Sequence, residues 1–146
     1  MRGLSRIASA LLPALLAAAC GAAATPTPDD MTGLLNELES HGAHVEDILA
    51  GDAGCPDSEL HSNASRLTVT SGGRDYDVYL FRWRRPTDYD AANAAFQDCV
   101  GAFTTARGSV DVEILEVAPW RAFGGGWTAG LKDAIESSLS AAAAGE

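Results

Sequence analysis

From Met31 onward the apolar positions switch between a helical and an alternating period, and each switch marks a new element. Leu34, Leu35 and Leu38 follow Asp29 and Asp30 at helical spacing, which predicts a helix over 31–40 with an acidic N-cap and Gly42 as its stop. Ala43 to Leu49 reads as a strand. A loop rich in Gly, Asp, Ser and Asn runs from Gly51 to Ser65, where Cys55 would pin it to the core. Arg66 to Thr70 sets Leu67 and Val69 inward, and Ser71-Gly72-Gly73-Arg74 is a hairpin turn, since glycine reaches the positive φ angles such turns need. In the strand from Asp75 to Arg84, Tyr76, Val78 and Leu80 share one face and Tyr79, Phe81 and Trp83 the other, so partial cover on both sides is expected.

Pro86 stops that strand, and Thr87-Asp88-Tyr89-Asp90 resembles a capping box that opens a helix to about Thr105. Ala92, Phe96, Cys99 and Phe103 form its inward stripe. Val110 to Val117 alternates as a strand, with Val112 and Ile114 on one side. Trp120 to Phe123 is a second short strand, broken by Gly124-Gly125-Gly126, and Thr128 caps a last helix carrying Leu131, Ile135 and Leu139. The order is α-β-β-β-α-β-β-α, with a frayed tail over 141–146. Short turns between neighbouring strands predict an α+β fold, a mostly antiparallel sheet of about five strands with three helices against one face, as a two-layer sandwich.

The first nineteen residues follow a different logic. Arg2 and Arg6 precede an apolar run from Ile7 to Ala19, the form of a secretory signal, and that run is too short for the roughly 20 residues a membrane span needs. Leu16-Ala17-Ala18-Ala19-Cys20 resembles the lipobox of bacterial lipoproteins. That resemblance implies cleavage before Cys20, a diacylglycerol on its sulfur and often an acyl chain on its amine, with ordinary cleavage at an Ala-x-Ala site as the alternative. Several acyl chains hold a protein stably where one does not. Residues 20–28, uncharged and containing Pro26 and Pro28, read as a tether to a single domain over 29–140. Gly42-Ala43-His44-Val45-Glu46, Leu67-Thr68-Val69 and Asp77-Val78-Tyr79-Leu80-Phe81 before an Ala-rich helix also look like small secreted bacterial lipoproteins, a likeness of strand cores and turns that implies a fold and no chemistry.

With Cys20 assigned to lipid, Cys55 and Cys99 remain, an even pair in an oxidising compartment. A disulfide is the natural reading, and chain-entropy arguments give such a closure roughly 4 kcal/mol. No Cys-x-x-Cys is present to suggest a redox pair or a thiolate metal site.

Charge then narrows the partners. The 146 residues carry 20 acidic side chains against 10 Lys plus Arg, a net charge of -10 that repels nucleic-acid phosphates. Residues 20–65 contain no Lys or Arg at all. That stretch also holds His41, His44 and His61, candidates for a divalent metal site, although no calcium-loop spacing accompanies them. A solvated acidic face is the competing reading. Gly124-Gly125-Gly126 before a helix would suit a phosphate, but the Walker pattern is incomplete and a plain strand-to-helix turn explains it. Trp83, Arg84, Arg85, Trp120 and Arg121, with Arg82 and Trp127 nearby, form a candidate basic and aromatic binding surface, set against core packing of the indoles. There is no Gly-x-Ser-x-Gly elbow, and no carboxylate pair in an apolar setting. The expectation is a non-enzymatic cell-envelope module without a cofactor, anchored to a bacterial membrane at Cys20 and binding an envelope protein or glycan. An envelope metal-binding protein is the alternative, and a small hydrolase a distant third.

Overall fold

The computed structural model describes residues 31–56 and 59–144. The expected signal peptide, Cys20 and the expected tether lie outside these residues. The elements are α1 (Met31–Ser40), β1 (His44–Ala50), a 3-10 turn (His61–Asn63), β2 (Ala64–Ser71), β3 (Arg74–Arg82), α2 (Pro86–Ala91), α3 (Asn93–Arg107), β4 (Val112–Val117), β5 (Trp120–Gly125) and α4 (Ala129–Ala144). The strands form one sheet in the order β1-β2-β3-β5-β4, and every neighbouring pair is antiparallel. The α+β class and the order of elements match the pattern read from the sequence.

The helices are divided between both faces of the sheet, which corrects the two-layer arrangement. Leu34 and Leu38 of α1 and Leu131, Ile135 and Leu139 of α4 pack with Leu67, Val69, Val78, Leu80 and Trp120 on one side. Phe96, Cys99, Val100 and Phe103 of α3 pack with Tyr79, Phe81, Trp83 and Phe123 on the other. Alternation in β3 is the cause, because both of its side-chain rows are apolar and neither tolerates water. One predicted helix is also two. The break falls at Ala92, whose N–H bonds back to Asp88, so α2 is a single turn and a half begun by Pro86 and α3 starts afresh.

Gly72 and Gly73 take φ of 59° and 75°, as the hairpin requires, and Ser71 pairs with Arg74 across the turn. Thr128 Oγ1 accepts the Leu131 N–H at 3.2 Å and so caps α4. That helix runs through Ala144 in place of fraying from 141, because Ala142 is buried in the aliphatic core. The disulfide joins Cys55 to Cys99 with their Cα atoms 5.3 Å apart. It fastens the loop after β1 to the inner side of α3, where Ala53 and Leu60 are also buried.

Candidate functional site

The hairpin register determines which residues meet beyond the sheet. Counting outward from Gly72-Gly73, Ser65 lies opposite Leu80 and Ala64 opposite Phe81, so the 3-10 turn at 61–63 must lie beside the residues that follow Phe81. β3 ends at Arg82, Trp83 turns inward with its N–H bonded to the Pro119 carbonyl at 3.1 Å, and Arg84 and Arg85 stand exposed before α2. Ala50 and Gly51, where β1 leaves the sheet, close the third side.

These segments enclose a solvent-open cavity of about 870 Å³ lined by His61, Ser62, Asn63, Ser65, Arg82, Arg84 and Arg85. Three arginines line it in a chain of net negative charge, and Asp88 is the one carboxylate in the lining. Asp88 takes a hydrogen bond from Arg85 Nε at 2.8 Å. Arg82 lies over the Trp120 ring with its guanidinium carbon 5.1 Å from the centroid, which holds the side chain along the sheet end. Arg84 makes no ion pair among the described residues. Guanidinium forks, hydroxyls and an amide together suit an anionic oxygen ligand, since a guanidinium meets a phosphate or carboxylate through two parallel hydrogen bonds.

The five residues of the predicted binding surface separate here. Arg84 and Arg85 are exposed, but Trp83, Trp120 and Arg121 are only 3%, 0% and 3% exposed and belong to the interior. The reason is register. Trp83 continues the aromatic row of β3, while Trp120 pairs with Arg82 across the sheet and faces α1 and α4. Arg121 points the other way, with its guanidinium carbon 3.9 Å from the Tyr89 centroid, 5.1 Å from Phe96 and 5.2 Å from Trp83. Its Nε lies 3.0 Å from Glu116. The cation is thus enclosed inside the protein, among the three rings and Glu116. Trp127, on the aliphatic side, donates from Nε1 to the Asp77 carbonyl at 3.1 Å.

The remaining candidates resolve in similar terms. A Cβ on Gly124 would come within 2.5 Å of both the Asp77 carbonyl and Trp127 Nε1, so a packing constraint accounts for that glycine without a phosphate. His41 Nε2 is 3.2 Å from Glu37 and His44 Nδ1 is 3.3 Å from Glu39, near the start of β1, whereas His61 lines the groove at its far end. Among the described residues, no three His, Cys, Asp or Glu side chains are placed to share a metal ion. No helix among them is long and apolar enough to cross a membrane. On the aromatic side, burial raises the Tyr79 phenol above its ordinary 10.0, with Asp77 and Asp52 adding to the shift and Arg107 opposing it.

Ser62, Asn63 and Ser65 were not among the predicted site residues, and His61 was predicted only as a metal candidate with His41 and His44. The signal that finds them is the turn itself, because a two-residue Gly-Gly hairpin sets the register residue by residue and carries the 61–65 segment to the arginines. Comparison of the chain with protein families, curated proteins and solved structures finds no match.

Proposed function

We propose that this chain is a non-enzymatic binding module of the cell envelope, anchored to a bacterial membrane through lipid on Cys20, that takes an anionic ligand in the groove between residues 61–65 and 82–85. The observation that carries the reading is the convergence of Arg82, Arg84 and Arg85 on one open cavity of about 870 Å³ in a chain with twice as many acidic as basic side chains. Net repulsion of anions makes a local cationic groove selective, since only a ligand that places its charge among the guanidinium groups offsets the long-range field. The Cys55–Cys99 bridge supports an oxidising, extracytoplasmic setting. The Leu16 to Cys20 motif supports the anchor.

The anchor is tested by metabolic labelling with a radioactive or alkynyl palmitate. Label should enter the wild-type chain and be absent from Cys20→Ala; label retained in that variant sinks the anchor. The ligand class is tested by calorimetry with a panel of acidic glycans and peptides against the wild type and Arg84→Ala. Binding that survives Arg84→Ala unweakened removes the groove from the reading.

A further inference from the structure

The groove lies at a distinctive end of the molecule. α1 and β1 form a helix, turn and strand unit closed by the buried Ala43, so the chain enters α1 at Met31 beside the end of the sheet where β1 leaves at Ala50. Cys20 precedes Met31 by eleven residues, a reach of at most about 40 Å even when fully extended. The residues nearest the anchor in sequence therefore join the fold at the groove end. Glu37, Glu39 and Glu46 occupy the opposite end, around the turn between α1 and β1.

Hydrophobic exposure points to the same end. Ile48 and Leu49 are 44% and 47% exposed, the two most exposed large apolar side chains among the described residues, and they lead straight into Ala50 and Gly51 in the groove wall. They sit on an edge strand, on opposite faces of it, and the two residues that follow them line the same groove as the three arginines. Two consecutive exposed apolar side chains leading into an arginine-lined groove match a bilayer interface, where apolar groups reach the acyl boundary and cations meet phosphates.

Resting on the anchored reading above, we propose that this end of the sheet lies on the membrane that carries the Cys20 lipid, with the phosphate of an anionic phospholipid held in the groove by Arg82, Arg84 and Arg85 and with Ile48 and Leu49 at the headgroup boundary. The carboxylate-rich end is thereby turned away from the anionic surface. Recognition is by charge and by paired N–H donors, so phosphatidylglycerol binds and zwitterionic phosphatidylcholine does not.

The test uses the full chain as purified from its native membrane and reconstituted into vesicles of phosphatidylcholine alone or with one third phosphatidylglycerol. Amide hydrogen exchange should slow by about tenfold or more at 48–51, 61–63 and 84–85 in the phosphatidylglycerol vesicles only, with no change at the 71–74 turn. The protection should vanish in Arg84→Glu/Arg85→Glu and fall in Ile48→Ser/Leu49→Ser, whose exposed positions leave the fold intact. Equal exchange in the two vesicles overturns the proposal, as does protection that persists in the charge-reversed chain. Inorganic phosphate added to the chain in detergent is the control for source: the same protection by phosphate alone would make this a free-anion site. Failure of the anchor is read separately from the intact mass. If no acyl mass is found, the same chain is sedimented with the two vesicle types. Phosphatidylglycerol-dependent sedimentation lost in the charge-reversed variant would uphold the headgroup site without the anchor, and its absence would overturn the site.

Discussion

The two faces of the sheet bury apolar surface by different means. On one, two helices press leucines and alanines onto Leu67, Val69 and Val78, with no disulfide and no charged side chain among the described residues of that core. On the other, a helix and an irregular loop close over a cluster of six buried aromatic side chains and the Arg121 guanidinium, and the disulfide holds loop to helix. The aliphatic side is closed by regular secondary structure on its own. The aromatic side relies on a covalent tie because a loop without repeating hydrogen bonds contributes little ordering of its own. That difference also locates function. An arginine among aromatic rings reads as a recognition surface when only its neighbours in sequence are known, but here Arg121 is buried against the rings, whereas Arg84 and Arg85 beyond the end of β3 are exposed.

The largest test of the contrast is Phe123→Ala. Phe123 is fully buried, with Tyr79 and Phe103 centroids each 5.1 Å away and Phe81 and Phe96 within 6 Å, so its loss should cost about 3–5 kcal/mol in a denaturant titration. A cost near 1 kcal/mol would mean the aromatic side repacks freely and does not depend on a central ring. Removing the disulfide as Cys55→Ser/Cys99→Ser should cost about 2–4 kcal/mol. The loss should be uneven: exchange in α3 should quicken before exchange in α4, and uniform quickening would erase the distinction between the two sides.

Arg121 separates charge from packing. Arg121→Ala removes the stem and planar group from three rings and should cost about 2–3 kcal/mol, whereas Arg121→Met keeps most of the contact and should cost under about 1 kcal/mol by the same titration. Equal costs would make the Glu116 ion pair, and not the rings, the principal contact. The smallest effect concerns alkaline pH. The folded pKa of Tyr79 lies above its unfolded value near 10.0, so the stabilisation this group contributes is complete below pH 10 and is lost as pH rises further. Thermal midpoints should be flat up to that point and then fall, and Tyr79→Phe should fall less steeply.

Local pattern located much of this fold. The α1 bounds, the Gly72-Gly73 hairpin, the Thr128 cap and the inward Phe96, Cys99 and Phe103 of α3 all follow from signals within a few residues of each element. The Ala92 break did not, because Ala is a strong helix former and nothing in its neighbourhood announces a stop. Val112 and Ile114 share one side of β4, as the alternation predicts, but which row is buried was not legible: Leu115 of the other row packs against the aliphatic core while Ile114 is 39% exposed. An edge strand carrying apolar residues in both rows leaves its inner face to be chosen by the neighbouring strand and the helix above it.

The candidate site divides along the same line. Sequence alone determined the arginine pair before Pro86, the alternation that makes β3 apolar on both faces, and the hairpin register that brings residues 61–65 back to the end of that strand. Tertiary structure alone decided that Arg121 and Trp83 face inward together, that Trp120 lies across from Arg82, and that the helices divide between the two faces. The physical reason is range. A turn dictates pairing to its immediate strands through fixed backbone geometry, whereas the meeting of β3 with β5, some forty residues later in the chain, is settled by which burial of all the apolar rows excludes the most water.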